Sequence, residues 1–66
     1  MKKSSLSARE LEVLKQIVNG KTSKEIAEKL FIAKQTVDFH RANIYKKTGT
    51  KTLADLIKFV INNKLV

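Results

Sequence analysis

Apolar residues recur along this chain at intervals of three and four positions, which is the spacing that places side chains on one face of a helix. In the first such stretch the apolar positions are Leu11, Leu14, Ile17 and Val18, and Gly20 supplies a left-handed stop. This stretch predicts a helix over about residues 8–19. The same spacing returns three more times, so we expect an all-α chain of four helices with no sheet.

Three helix starts carry a capping box, in which a Ser or Thr side chain caps the helix and a residue three positions on reaches back. The boxes are Ser7 with Glu10, Thr22 with Glu25 and, more weakly, Thr52 with Asp55. The last two predict a second helix over about 23–30 and a fourth over about 53–62. A third helix, over about 34–48, ends at Gly49 and has Ala33 at its cap position, where no side chain can accept an amide.

The apolar positions of the later helices predict the rest of the core. The second helix is expected to bury Ile26, Ala27 and Leu30, and the third Val37, Ile44 and Thr48. The fourth is expected to bury Leu53, Leu56, Ile57, Val60 and Ile61. Phe31 and Ile32 stand in a turn, where apolar side chains can fill the gap between helices. Asn62 or Asn63 is expected to take the left-handed conformation that ends the last helix.

Length and charge narrow the class of protein. The chain has 66 residues, a formal net charge of +8 and no cysteine, so helix packing alone must stabilise it. Such a charge implies a polyanionic partner, either nucleic acid or an anionic membrane face, unless it serves solubility alone. No apolar run reaches the length of a membrane span.

The composition offers few of the residue combinations that enzymatic catalysis requires. One histidine, no cysteine and six scattered carboxylates offer no nucleophile–base pair and no metal cage. No Gly-rich phosphate loop is present either. We therefore expect no enzyme, no cofactor and no metal.

Residues 23–42 hold a short helix, a three-residue turn and the start of a longer helix. This is the order of a helix-turn-helix motif, whose second helix lies in the DNA major groove. Ala27 supplies the small side chain that lets the partner helix cross closely. A short basic chain with this motif at its centre indicates a DNA-binding domain.

Several segments together resemble the LuxR/GerE-type helix-turn-helix domain of bacterial transcription regulators. They are Leu6-Ser-x-Arg-Glu-x-Glu-Val-Leu14, Gly20-x-Thr-Ser-Lys-Glu-Ile-Ala27, Leu30-x-Ile32, Thr36-Val-x-x-His40 and Asn43-Ile-x-x-Lys47-x-Gly49. The resemblance covers residues 6–66 and leaves residues 1–5 as a disordered tail. It implies a four-helix domain of the winged-helix-like superfamily without a wing sheet. In this family the third helix reads DNA, the fourth often carries a dimer contact, and the domain is commonly the output half of a response regulator.

The chain departs from the family pattern at four positions. Ala33 replaces the usual Ser or Thr, Asp38 a frequent basic residue, Leu53 a common Arg, and Lys64 the usual Gly. The first two lie on the expected DNA side of the domain. They motivate an alternative function, a protein-interaction module on the same fold that contacts RNA polymerase or another regulator.

The face of the third helix opposite Val37 and Ile44 is the one that can enter a groove. Base contacts are predicted at Gln35, Asp38, Phe39, Ala42 and Asn43. Family members place base contacts at the positions that match Asp38, Phe39 and Ala42. Phe39 can lie against a thymine methyl or pack on a neighbouring helix. Asp38 can accept from cytosine N4 or pair with Lys34 on the helix surface.

Phosphate contacts are expected at helix starts, where free amides and the helix dipole favour an anion, and at nearby lysines. The predicted set is Thr22, Ser23, Lys24, Lys34, Thr36, Lys46, Lys47 and Lys51. The only histidine, His40, stands beside the buried stripe and is interpreted as a packing residue, with a phosphate contact as the alternative.

The fourth helix is apolar over about half of its circumference. This apolar face can serve only to pack against the core of the monomer. Alternatively, it can support a weak homodimer through Leu53 and Phe59, as the resemblance implies. The expected partners are thus double-stranded DNA and a second copy of the chain. The expected location is the bacterial cytoplasm, at the nucleoid.

Overall fold

A computed structural model describes residues 6–64, which form four α-helices in sequence. They are α1 Ala8–Val18, α2 Ser23–Leu30, α3 Lys34–Thr48 and α4 Leu53–Asn62. No strand occurs within this range. The all-α class and the four predicted helices are confirmed, with every boundary within one residue of the expected one. The predicted disordered tail, residues 1–5, and residues 65–66 lie outside the described range.

The predicted capping boxes start the first two helices. Ser7 Oγ accepts from the Glu10 amide at 3.1 Å, and the Ser7 amide donates to Glu10 Oε1 at 2.9 Å. Thr22 and Glu25 make the same pair of bonds at 3.2 and 2.8 Å. In α4 the cap bond runs from the Asp55 amide to Thr52 Oγ1, at 3.1 Å. No side chain caps α3, as the alanine at position 33 predicted.

Each of the four described helices is followed, within two residues, by a residue in the left-handed conformation. Gly20 and Gly49 take φ values of 85° and 72°, which cost glycine little. The prediction for the end of α4 is wrong, because Lys64 takes the left-handed conformation with φ 52° while Asn63 keeps φ −103°. The reason is a pair of bonds from Asn63, whose Nδ2 and backbone amide both donate to the carbonyl of Phe59, at 2.8 and 3.0 Å. These bonds keep Asn63 near the helical region, so the reversal falls one residue later.

The core lies around α3, which packs against each of the other three helices. Its buried side chains come from all four helices: Val13, Leu14, Ile17, Ile26, Ala27, Val37, Ile44, Leu56 and Val60. Leu30, Ile32 and Tyr45 are half-buried against it. The central helix of the fold is therefore also the one predicted to meet DNA.

Three apolar residues expected inside the protein are exposed instead. Leu53 is 47% exposed, Ile61 66% and Phe31 93%. Because α4 packs chiefly on α3, only the stripe through Leu56 and Val60 is fully covered. Phe31 ends α2 in the left-handed region with φ 57°, so Ile32 alone fills the turn towards the core.

Candidate nucleic-acid interface

One side of α3 is sealed and the other is open. Val37 and Ile44 are fully buried, whereas Gln35, Phe39, Ala42 and Lys46 are exposed. Phe39 is 63% exposed, and Asn43 is half-buried at the edge of this face. The 15 residues of α3 make a rod about 22 Å long. Such a helix fits the major groove of B-DNA, which is about 12 Å wide.

Asp38 is exposed on this open face but is paired within the protein. Lys34 Nζ donates to its Oδ2 at 2.9 Å, which is the helix-surface pair that the sequence left as an alternative. Hydrogen bonding from Lys34, and then from the Ser23 hydroxyl, lowers the pKa of Asp38 below its usual value of 3.8. The residue is therefore an anion at neutral pH, and its base contact remains a prediction.

The start of α2 brings several of the predicted phosphate contacts together. Its capping box uses the amides of Thr22 and Glu25, which leaves the Ser23 and Lys24 amides at the positive end of the helix. The Thr22 hydroxyl accepts the cap bond from the Glu25 amide at 3.2 Å. Lys24 is exposed beside them and Ser23 is half-buried.

A cleft of about 320 Å³ opens at this helix start, and Arg41 of α3 lines it together with Lys21, Thr22 and Ser23. Arg41 is absent from the predicted phosphate contacts. On a helical wheel it lies beside the buried stripe, and the packing of α3 against α2 places it at the cleft. The charge of Arg41 also helps to lower the pKa of Asp38.

The start of α3 offers a second group of donors. Lys34 and Thr36 are exposed there, and the absence of a side-chain cap leaves the first amides of the helix open to an outside acceptor. Lys46 and Lys51 are exposed near the other end of α3.

Lys47, another predicted phosphate contact, lies in an ion pair in this structure. Its Nζ donates to Glu10 Oε1 at 2.9 Å, and Glu10 is only 4% exposed. Burial by itself raises the pKa of Glu10, but the bonds from Lys47 and Ser7 and the charges of Lys47 and His40 outweigh it, so the pKa falls below 4.5. The pair ties the start of α1 to the last turn of α3.

His40 is half-buried, in agreement with its interpretation as a packing residue. Its Nδ1 is buried and has no hydrogen-bond partner among residues 6–64. Its ring lies 6.2 Å from that of Phe39, centroid to centroid, at an angle of 58°.

The exposed apolar side of α4 differs from the predicted dimer contact. Leu53, Ile57 and Ile61 follow one another at four-residue spacing, so they form a single stripe. Leu53 and Ile61 are exposed and Ile57 is half-buried, whereas Phe59 is half-buried outside this stripe. The prediction thus included one member of the stripe and placed the other two in the core.

With this geometry established, comparison with known proteins defines the family. Residues 4–60 match the family of bacterial regulatory proteins of the luxR type, so the chain belongs to that family. The oxygen regulatory protein NreC of Staphylococcus aureus is 44% identical over 61 residues, which cover 92% of this chain. Those residues are 28% of NreC, so the chain spans less than a third of this curated relative.

Solved structures give the same class. The response regulator ChrA of a heme-sensing two-component system superposes with a TM-score of 0.87 and 33% identity, over 100% of this chain and 33% of ChrA. VqmA of Vibrio cholera, solved as a complex with ligand and DNA, gives a TM-score of 0.86 and 29% identity, over 98% of this chain and 29% of VqmA. The fold is that of a LuxR-type DNA-binding domain. Among the described residues, no helix is both long enough and apolar enough to cross a bilayer.

Proposed function

We propose that this chain binds double-stranded DNA with sequence preference and thereby regulates transcription in the bacterial cytoplasm, at the nucleoid. One observation carries the proposal. The other three helices all pack against α3, while the opposite face of α3 presents Gln35, Phe39 and Ala42 to solvent. A helix fixed in this way can enter the major groove without rearrangement, which lowers the cost of binding.

The proposed base contacts are Gln35, Asp38, Phe39, Ala42 and Asn43. Gln35 and Asn43 carry amides that can pair with adenine, and Phe39 can lie against a thymine methyl. The donors at the starts of α2 and α3 support backbone contacts on either side of the groove, from Thr22, Ser23, Lys24, Lys34 and Thr36. Lys46, Lys47 and Lys51 complete the proposed set, and Arg41 is added to it because of its place in the α2 cleft.

A second copy of the chain is a proposed partner, through α4. The stripe of Leu53, Ile57 and Ile61 supports a weak two-fold contact, with Phe59 at its margin. Two copies related in this way would read half-sites about one helical turn apart. Leu53→Glu should leave the monomer folded, because Leu53 is 47% exposed, and should abolish dimerisation in sedimentation experiments. An unchanged dimer in this variant would contradict the α4 contact.

The central experiment is selection of bound duplexes from a random pool, followed by titration of the selected site. Lys24→Ala should weaken binding to selected and random duplexes alike, by about fivefold to tenfold, because it removes a backbone contact. Lys29→Ala is the matched control, since Lys29 is an exposed lysine in the last turn of the same helix. Phe39→Ala should instead reduce the preference for the selected site, and Phe31→Ala is its control. Unchanged binding in both Lys24→Ala and Phe39→Ala would overturn the contact map.

The alternative function, a protein-interaction module that contacts RNA polymerase or another regulator, has one observation in its favour. The open face of α3 carries an ionised Asp38, which repels phosphate. Titration against random duplex at low salt separates the two functions, because the proposed DNA-binding domain should bind at micromolar concentration. Absence of binding there would favour the alternative.

A further inference from the structure

The carboxylate of Asp38 lies between residues that were predicted to contact phosphate. Lys34 Nζ donates to Asp38 Oδ2 at 2.9 Å, one turn along α3. The Ser23 hydroxyl, at the start of α2, interacts with the same carboxyl, and the charge of Arg41 acts on it as well. One internal anion therefore faces donors from the starts of two helices.

We propose that Asp38 is an internal counter-ion that occupies the Lys34 ammonium in the free domain and weakens binding to DNA of the wrong sequence. This role rests on the proposed function, because it concerns the same open face of α3. Carboxylate and phosphate are both oxygen anions that accept from an ammonium group. A duplex must therefore displace Asp38 before Lys34 can contact its backbone.

The free-energy cost of separating Asp38 from Lys34 depends on the sequence of the bound DNA. Separation from Lys34 takes the charged donor away from Asp38, and the loss of this ion pair disfavours the complex. A cytosine in the groove offers its N4 amino group to the carboxylate and offsets the loss, whereas other base edges at that position leave Asp38 without a donor. Asp38 is thus a specificity-determining residue that acts mainly against non-matching DNA.

The exposure of the pair makes this exchange feasible. The side chains of Lys34 and Asp38 are 63% and 48% exposed, so no buried contact opens when they separate. A surface pair of this kind adds little to folding stability. Asp38→Asn should consequently fold like the parent chain, which circular dichroism can verify before any binding measurement.

The test compares Asp38→Asn with a matched control, Glu12→Gln. Glu12 is an exposed carboxylate on α1 that pairs with Arg9 at 3.2 Å, so both changes remove one negative charge from a surface ion pair. Binding is measured on the selected and the random duplex at several salt concentrations. Relative to the control, Asp38→Asn should tighten binding to the random duplex by about fivefold and steepen the log–log salt slope by about one unit, because Lys34 is released to phosphate. The ratio of selected to random affinity should fall.

A second variant separates the counter-ion role from general repulsion. In a Lys34→Gln background, Asp38→Asn should lose most of its effect on the random duplex, because no ammonium remains to be released. An equal effect in both backgrounds would overturn the proposal, as would equal shifts for Asp38→Asn and Glu12→Gln. Failure of the proposed function looks different, since the parent chain would then show no preference between selected and random duplexes.

Discussion

At the scale of single residues, Glu10 has two structural roles. It completes the capping box of α1 and accepts from Lys47 at 2.9 Å, and the second bond joins residues 37 positions apart in the chain. Among residues 6–64 it is the only buried charged side chain. Removing the charge of such a residue breaks the ion pair, which is costly when the site is screened from water.

We expect Glu10→Gln to lower the free energy of unfolding by about 2 kcal/mol, since glutamine preserves the capping box but not the ion pair. In a domain of this size the loss corresponds to a fall in melting temperature of about 10 °C. Glu12→Gln, which alters an exposed pair, should stay within about 0.5 kcal/mol of the parent chain. Equal melting temperatures for the two variants would contradict the role given to the Glu10–Lys47 pair.

Acid should weaken the fold through the same carboxyl. The folded pKa of Glu10 lies below its ordinary value of 4.5, so the unfolded chain binds more protons as the pH falls past that value. Its contribution is complete above 4.5 and is lost as the pH falls through the lower, folded pKa. Urea denaturation from about pH 6 to pH 3 should show stability declining with acid, and declining less steeply in Glu10→Gln. If the stability of the parent chain and of Glu10→Gln declined in parallel with falling pH, other carboxyls would dominate the decline.

At the scale of elements, the starts of the helices differ in a way that matters for both stability and binding. Side-chain hydroxyls cap α1, α2 and α4, but none caps α3. The α3 helix persists because its inner face packs against all three other helices. Its free amides are also the ones proposed to meet a phosphate.

Ala33→Ser should therefore raise the free energy of unfolding by about 1 kcal/mol, because a hydroxyl at this position can accept an amide of the first turn. Ala33 already has the extended conformation of a cap residue, with φ −71° and ψ 149°, so the backbone need not move. Ala42→Ser, in the interior of the same helix, is the control and should give no gain. Thermal denaturation of the parent chain and of the two variants tests this prediction. Equal melting temperatures for Ala33→Ser and Ala42→Ser would contradict it.

At the scale of the whole molecule, the charge of +8 should appear as a steep dependence of DNA binding on salt. About six neutralised phosphates would give a slope near −5 when the logarithm of affinity is plotted against the logarithm of salt concentration. Fluorescence anisotropy between about 50 and 300 mM salt measures this slope. A slope near zero would mean that the basic residues serve solubility and not a backbone contact.

Much of this fold could be predicted because its signals are local. Capping boxes, glycine stops and a period of three to four residues act within one helix, so the sequence located all four helices to within a residue. The same wheel pattern predicted that Val37 and Ile44 point inward and Phe39 outward, which the structure confirms. The errors concern the burial of Phe31, Leu53 and Ile61, which depends on how much of each side chain a neighbouring helix covers. They also concern Lys64, where the chain reverses after α4.

The amino-acid sequence by itself thus determined the helices, the family and the open face of α3, since each depends on residues close together in the chain. Tertiary structure decided which apolar residues of α4 stay exposed, because burial depends on a neighbouring helix. It also decided that Lys47 pairs with Glu10 and that Arg41 reaches the α2 cleft. Contacts of this kind join distant segments, and their geometry exists only once the helices have packed.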